Sequence, residues 1–434
     1  MTEDNGVLAY PIPARQAQPR SSAGRLALNT ALASRYAEGA TIKQLTQQSG
    51  FSYNVVRQGL IDHRVQLRPR GGGSHRTPSD TVRPAPLTIG YSTWGYLGDG
   101  RLDTVDGVGI RRPVIDAIQA AGHQVLLLQA NRDLRDDGIA LRRKYRFEHG
   151  YPALDAVIFE WGWLPPDRNP TASASAGPTR DLDRQDALLQ HYTRDRHTPT
   201  VIWDLDRRLP AGDPLRRLPQ VRVAEPALYP TPGAISVPCP IPDEVLAETD
   251  PAALAGRDRW LPLVYAGDQY DCDDAFEQYV VPAAAQFDHL VTGTWSTTAL
   301  WPHVNFLGRA GFETAASIHR SALATVLLPP ERHATVGQLS SRLFMAVPQG
   351  CLPLIPADLP FADRFAPAVL HVTDGAEVIT KLQWLRAIQS TREHRYLIAA
   401  CLLHLYRYRL STIVDTLLAT VHTLADPALT RTPR

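Results

Sequence analysis

The 434-residue chain has only four cysteines, Cys239, Cys272, Cys351 and Cys401, scattered far apart with no Cys-x-x-Cys pair and no Cys/His ligand spacing. That scarcity excludes a disulfide-framed scaffold and argues against structural zinc, so a reducing, cytoplasmic setting is expected. The N-terminus, Met1 to Arg15, lacks a positive start followed by a long apolar run, and is read as carrying no secretion signal. The most apolar late stretch, Tyr396 to Leu405, is too short to span a bilayer and runs into Tyr406-Arg407-Tyr408-Arg409, so no membrane contact is expected. No Gly-Lys-Ser/Thr triplet occurs, which excludes a Walker A loop. A formal charge of +1 says nothing by itself about partners, and no heptad suggests an oligomerisation helix.

With 44% hydrophobic residues the chain can bury two or three cores. Its charge is unevenly spread: residues 1–86 carry eleven Lys or Arg against five Asp or Glu, leaving the remainder mildly acidic. A basic front end on an acidic body suggests that the front meets a polyanion.

After a tail over 1–24, residues 25–70 read as a short helical module. Leu26, Leu28, Leu32 and Tyr36 recur at helical spacing, Gly39-Ala40 break the run, and Thr41 caps IKQLTQQS. Gly50 makes a turn, Ser52 caps again, and YNVVRQGLIDH forms another helix with Val55, Val56 and Leu60 inward. This resembles the helix-turn-helix of actinobacterial DNA-binding modules, although Thr46 stands where such motifs favour Ala. The resemblance implies that the second helix enters a major groove, with Tyr53, Asn54 and Arg57 toward base edges. Arg68 and Arg70 would lie along phosphates or in a minor groove on an extended arm. A helical bundle used for protein contact, with solvated arginines, is the alternative. Residues 71–86, GGGSHRTPSDTVRPAP, cannot pack a core and are expected to tether the module to the body.

From about 87 to 245, apolar runs of strand length (LTIGYS, QVLLLQA, ALDAVIFEW, PTVIWDLD, VRVAEP) alternate with helical stretches, the pattern of a doubly wound parallel sheet. From 246 to 424 the pattern repeats, with WLPLVYAG, HLVTGTW, VNFLGR, ATVLLP and CLPLIP as strands, before a tail over 425–434. The fold class expected is α/β: two Rossmann-like domains facing each other behind a small all-α domain. Ligands of such sheets bind beyond the carboxyl ends of the strands. Glu160, Asp204 and Asp206 stand at such ends, and Asp99, Asp103 and Asp106 in the glycine-rich loop Thr93–Gly109.

Ala324 to Pro356 combines an apolar strand, a polar loop and a helix entered by Ser340, Ser341 and Arg342, which is how an α/β domain presents a helix N-terminus and an arginine to phosphate. The pattern Ser, Arg, one residue, Phe, then a turn at Gly350 and a hydrophobic strand resembles the donor half of bacterial GT-B glycosyltransferases, most closely those of the spore-maturation and group 1 types. The likeness covers roughly 87–424. Where the family has a Glu for sugar or ribose hydroxyls, this chain has Met345. The resemblance implies a nucleotide-diphosphate sugar as donor substrate, held by Gly267, Asp268, Gln269, Gly308, Arg309, Arg332, Gln338, Ser341, Arg342 and Gly350. Arginines would replace a cation at the diphosphate, so neither a divalent metal nor another cofactor is expected. The plain alternative for each arginine is a surface ion pair.

An inverting transfer needs a carboxylate base, and Glu160 or Asp204 is the candidate; loop capping or ion pairing is the alternative for each. Asp204-Leu205-Asp206 also has the Asp-x-Asp spacing of metal-dependent transferases of another architecture. Three functions stay open: a transferase acting on a hydroxyl, which the basic module would make a modified DNA base; a transferase acting on a protein or metabolite; and a DNA-binding regulator whose body senses a sugar nucleotide.

Overall fold

A computed structural model describes residues 22–68, 85–93, 95–98, 107–129, 133–134, 138–161, 181–269, 272–338 and 341–425. The expected roles of Arg70, Asp99, Asp103, Asp106 and Ser340, most of 71–86 and most of the two tails lie outside those residues.

The module is three helices, α1 (Ala23–Ala37), α2 (Ile42–Ser49) and α3 (Tyr53–Asp62). A complete capping box starts α2: the Thr41 amide donates to the Gln44 side chain at 2.8 Å, and the Gln44 amide to the Thr41 hydroxyl at 3.2 Å. Gly50 ends α2 in the left-handed conformation, φ +65°, and turns the chain into α3. Leu28, Leu32, Leu45, Phe51, Val56 and Leu60 form the buried interior.

Two wholly parallel sheets follow. The first joins β1 (Thr88–Ser92), β2 (Gln124–Leu127), β3 (Arg146–Phe147), β4 (Ala156–Trp161), β5 (Thr200–Asp204), β6 (Val221–Glu225) and β7 (Ile235–Ser236) in the order β3-β2-β1-β4-β5-β6-β7. The second joins β8 (Leu261–Ala266), β9 (His289–Thr292), β10 (Phe306–Gly308), β11 (Ala322–Val326), β12 (Leu352–Pro356) and β13 (His371–Val372) in the order β10-β9-β8-β11-β12-β13. Both orders run outward from the first strand and then reverse, which is the Rossmann arrangement with its switch point beside the first strand. The inner strands are mostly apolar and buried because helices cover both faces; all six residues of β8 are buried.

Five further helices position the site: α4 (Arg112–Ala120), α5 (Phe312–Ser321), α6 (Arg342–Ala346), α7 (Arg392–Leu405) and α8 (Leu410–Ala425). The last redraws one expected boundary. Leu410, Ile413, Leu417 and Val421 of α8 pack into the core of the first sheet, so the donor half expected over 246–424 ends in space near residue 409. The two strands of chain that pass between domains pair with each other, Ile241 N–H on the Tyr408 carbonyl and Leu410 N–H on that of Ile241, both at 2.8 Å.

The module does not ride free. Its interior is continuous with that of the second domain, because α1 lies along α7. Phe51 packs on Tyr396 with ring centres 5.2 Å apart, and the Arg395 guanidinium lies 4.2 Å over Phe51. An apolar side of α1 that would otherwise face water explains the docking. Among the described residues no helix is long and apolar enough to cross a membrane.

Candidate functional site

The carboxyl end of β8 meets a guanidinium. Arg342, at the first position of α6, lies over Gly267, the residue that follows β8; a β-carbon at Gly267 would collide with it. Glycine here is a steric requirement of the close approach. The guanidinium donates to the Tyr265 hydroxyl at 2.9 Å and stands 5.2 Å from the Tyr265 ring. Burial pushes the Tyr265 phenol up to about 12, so that partner is neutral at ordinary pH. Arg342 pairs with no carboxylate among the described residues, and it is only half-buried. Because α6 has only five residues, the guanidinium's full charge rather than a helix dipole carries the attraction for an anion.

The glycine turn is held by its neighbours. The Thr294 amide donates to Asp268 Oδ1 at 2.6 Å. Gln269 accepts from the Ser296 amide at 2.9 Å and donates to Asp273 at 2.9 Å. Trp295 Nε1 donates to the Gly267 carbonyl at 2.8 Å and joins Tyr265, Phe276, Trp301 and Phe306 in an aromatic cluster under the turn. Gly308, at the end of β10, accepts the Gly293 amide at 2.9 Å, and the following Arg309 is exposed. Gly267, Asp268, Gln269, Ser341 and Arg342 thus gather at one edge, with Gly308 and Arg309 along it.

The other expected donor residues go elsewhere. Gln338 donates to the Leu205 carbonyl at 2.7 Å, and the Arg332 carbonyl accepts from Arg207 at 2.8 Å, so this loop after β11 meets the first domain. Gly350 precedes β12, at the opposite edge of the parallel sheet from Gly267. There it admits Arg259, which donates to the Gln349 carbonyl at 2.8 Å and closes the helix end. Gly350 is therefore a packing residue, remote from the arginine it was expected to serve.

A matching arrangement occupies the first domain. Arg111, immediately before α4, covers Gly95 beyond β1, again where a β-carbon would collide. Here a carboxylate answers the charge: Arg111 Nε donates to Glu160 Oε2 at 2.8 Å, the Tyr91 hydroxyl to the same oxygen at 2.9 Å, and a further guanidinium nitrogen to the Tyr96 carbonyl at 2.7 Å. Glu160 is 5% exposed and fully engaged. Asp204 is completely buried and accepts the amides of Arg208 and Leu209, each at 2.8 Å, so it closes the turn after β5. Burial raises its pKa. Neither carboxylate is an open base in this arrangement, and Asp204 holds a turn rather than sharing a cation with Asp206. This face meets the second domain, since a β-carbon on Gly109 would touch Phe312 of α5 at 3.4 Å. Met345 packs with Ala315 and Ala316 of α5, an apolar patch where a Glu was the family pattern.

Of the expected DNA contacts, Tyr53, Asn54 and Arg57 stand exposed along one side of α3. Arg68 turns back instead: it donates to the Gly39 and Ala40 carbonyls at 3.1 and 2.9 Å and lies 4.0 Å over the Tyr36 ring, so it caps α1.

A helix-turn-helix domain model matches residues 21–76. T4 phage BGT in complex with UDP and Mn2+ aligns over 77% of this chain and 99% of its own, at 11% identity and a TM-score of 0.52. A structure of T4 phage beta-glucosyltransferase aligns over the same shares at 10% identity and 0.51. Sucrose-phosphate synthase from Thermosynechococcus elongatus aligns over 78% and 98%, at 12% identity and 0.47. No curated protein matches. The body thus has the GT-B fold, behind a helix-turn-helix module. Tyr265, Gly95 and Arg111 were not found from sequence; their one signal is a glycine beyond the first strand of each half.

Proposed function

We propose that the protein is a glycosyltransferase that binds a nucleotide-diphosphate sugar at the carboxyl edge of the second sheet and passes the sugar to a hydroxyl. The observation that supports this reading is Arg342: a guanidinium with no paired carboxylate among the described residues, set over a glycine turn that lets phosphate approach the backbone. Gly267, Asp268 and Gln269 would shape the diphosphate subsite, with Ser341 and Arg309 at its rim. The T4 phage enzyme of the same fold has been captured with UDP-glucose. The finer assignment to the spore-maturation type rests on the Ser-Arg-x-Phe pattern around Arg342 alone.

The acceptor in this reading is DNA. The helix-turn-helix module supports it, with Tyr53, Asn54 and Arg57 as the groove-facing residues. A base would have to leave the stack to reach the cleft. Glu160 is the retained candidate for the proton acceptor, provided that binding draws Arg111 away from it. A second reading, a DNA-binding regulator that senses a sugar nucleotide without turnover, draws support from the same engaged Glu160 and from Met345.

The test is a thermal-shift and turnover screen of the full chain against UDP-, GDP- and TDP-sugars, with and without duplex DNA and with and without Mn2+. Stabilisation by a donor, lost in Arg342→Ala, and sugar appearing on DNA are the expected results. Stabilisation without turnover on any acceptor selects the sensor. No response to any donor overturns the donor site. Donor activity only with Mn2+ overturns the reading that arginines replace the metal.

A further inference from the structure

We propose that the body adds its own DNA-backbone contact beside the recognition helix: Arg392, at the mouth of a crevice of about 450 Å³ between module and second domain, takes a phosphate of the duplex read by α3. The proposal rests on the reading of α1–α3 as a DNA-binding module.

The crevice exists because the module is fixed in place. The Gly24 amide donates to Glu393, Arg395 donates to the Gly50 carbonyl, and a β-carbon on Gly50 would stand 3.2 Å from Pro251. These contacts set the turn before α3 against the body. From the module the walls are Ser52 and Val55, three residues apart and so on one flank of α3. From the body they are Ser390, Thr391 and Arg392. Tyr53, Asn54 and Arg57 lie exposed on the adjoining side of the helix. A helix seated in a major groove about 12 Å wide has a row of phosphates along each flank. The flank that carries Ser52 is the one the body occupies.

Arg392 is exposed, stands 5.4 Å from the Tyr396 ring, and pairs with no carboxylate among the described residues. The nearby acids are already engaged: Glu393 accepts the Gly24 amide, Asp250 accepts those of Ala252 and Ala253, and Asp62 lies 3.9 Å from Arg25. Arg25, 5.5 Å from the same tyrosine ring, offsets Asp62, and Arg395 lines the rear wall over Phe51. The Ser52 hydroxyl makes no capping bond to its own helix and is left to donate to a phosphate oxygen.

The consequence is that a duplex is held against the donor domain by two elements in fixed relation, which sets its orientation toward the cleft. The test uses the full-length chain and a labelled mixed-sequence duplex about three helical turns long, titrated by anisotropy across KCl concentrations. Arg392→Gln is expected to weaken binding about fivefold on every sequence, to lower the salt slope by about one, and to leave the thermal midpoint unchanged. Arg392→Lys should retain most of the affinity, and Arg392→Glu should lose more than Arg392→Gln. Parent-like affinity and slope in Arg392→Gln and Arg392→Glu, while Arg57→Ala weakens binding, would overturn the crevice contact and leave the module reading intact. A parent chain that binds no duplex would overturn both.

Discussion

The two Rossmann halves carry the same device with opposite outcomes. In each, a glycine beyond the first strand lies under a guanidinium, and the penultimate residue of that strand, Tyr91 in one half and Tyr265 in the other, reaches into the group. In the first half Glu160 neutralises Arg111, the tyrosine donates to that carboxylate, and the cluster is closed. In the second half no carboxylate among the described residues pairs with Arg342, although Asp268 lies near enough to favour its charge, and the tyrosine accepts from it. Identical sterics thus separate a structural ion pair from a candidate ligand site by the presence of one acid. A glycine–arginine contact at a strand end is not a site until its counter-charge has been looked for.

The sharpest way to break this comparison is Glu160→Ala. If the first cluster is structural, the substitution leaves Arg111 buried and uncompensated at a cost of about 3–5 kcal/mol, read as loss of the denaturation midpoint. The matching change in the second half, Arg342→Ala, removes no counter-charge and should leave the midpoint nearly where it was. Equal destabilisation by the two variants would end the distinction between the halves.

A steric version comes next. Gly267→Ala forces a methyl into the Arg342 guanidinium, which must swing off the turn. Displacing a charge-assisted contact of about 2 kcal/mol predicts roughly thirtyfold weaker donor binding with little change in stability, measured by calorimetric titration. Gly95→Ala imposes the same clash on a guanidinium paired with a buried carboxylate in the unliganded protein, so its cost should appear in stability. Donor affinity that falls in Gly95→Ala and holds in Gly267→Ala would reverse the assignment.

Much of this architecture was legible in the sequence. The strand runs over 87–92, 124–130, 153–161, 199–206 and 221–226 became β1, β2, β4, β5 and β6, because a buried parallel strand announces itself as a continuous apolar run. The two-residue edge strands β3, β7 and β13 gave no such signal, since pairing on one side only asks little of composition. Thr41 and Gly50 marked the module's turns correctly, for capping is local chemistry, whereas Ser52 stands at the N-cap position of α3 without a side-chain capping bond. The docking of the module on α7 was not legible, because Phe51 meeting Tyr396 is a contact between residues far apart in the chain. The same limit explains Gly350 and Arg68: a glycine before a strand and an arginine after a helix look alike whether they meet a ligand or the protein's own carbonyls. Arg342 was legible as a residue and not as a charge, since whether a carboxylate stands beside it depends on the folding of a distant strand.

A smaller effect separates the second domain from the first by pH. His319, His333, His394 and His404, all buried and all in the second half or its docking helix, have pKa values pushed by burial from 6.5 down to about 4. Each is neutral when folded and gains a proton on unfolding below 6.5, so the unfolded chain binds more protons between 6.5 and about 4. Stability is therefore full above 6.5 and declines as the pH falls through that window. The first half holds no comparable set among the described residues, apart from the more modestly lowered His123. Hydrogen exchange at pH 5 against pH 7.5 should show protection lost first in α5 and α7 and retained in β1, β4 and β5. Uniform loss across both sheets would mean that the halves unfold as one unit, joined through α8 and the paired crossings at Ile241 and Leu410, and that the histidines destabilise the whole body instead of one domain.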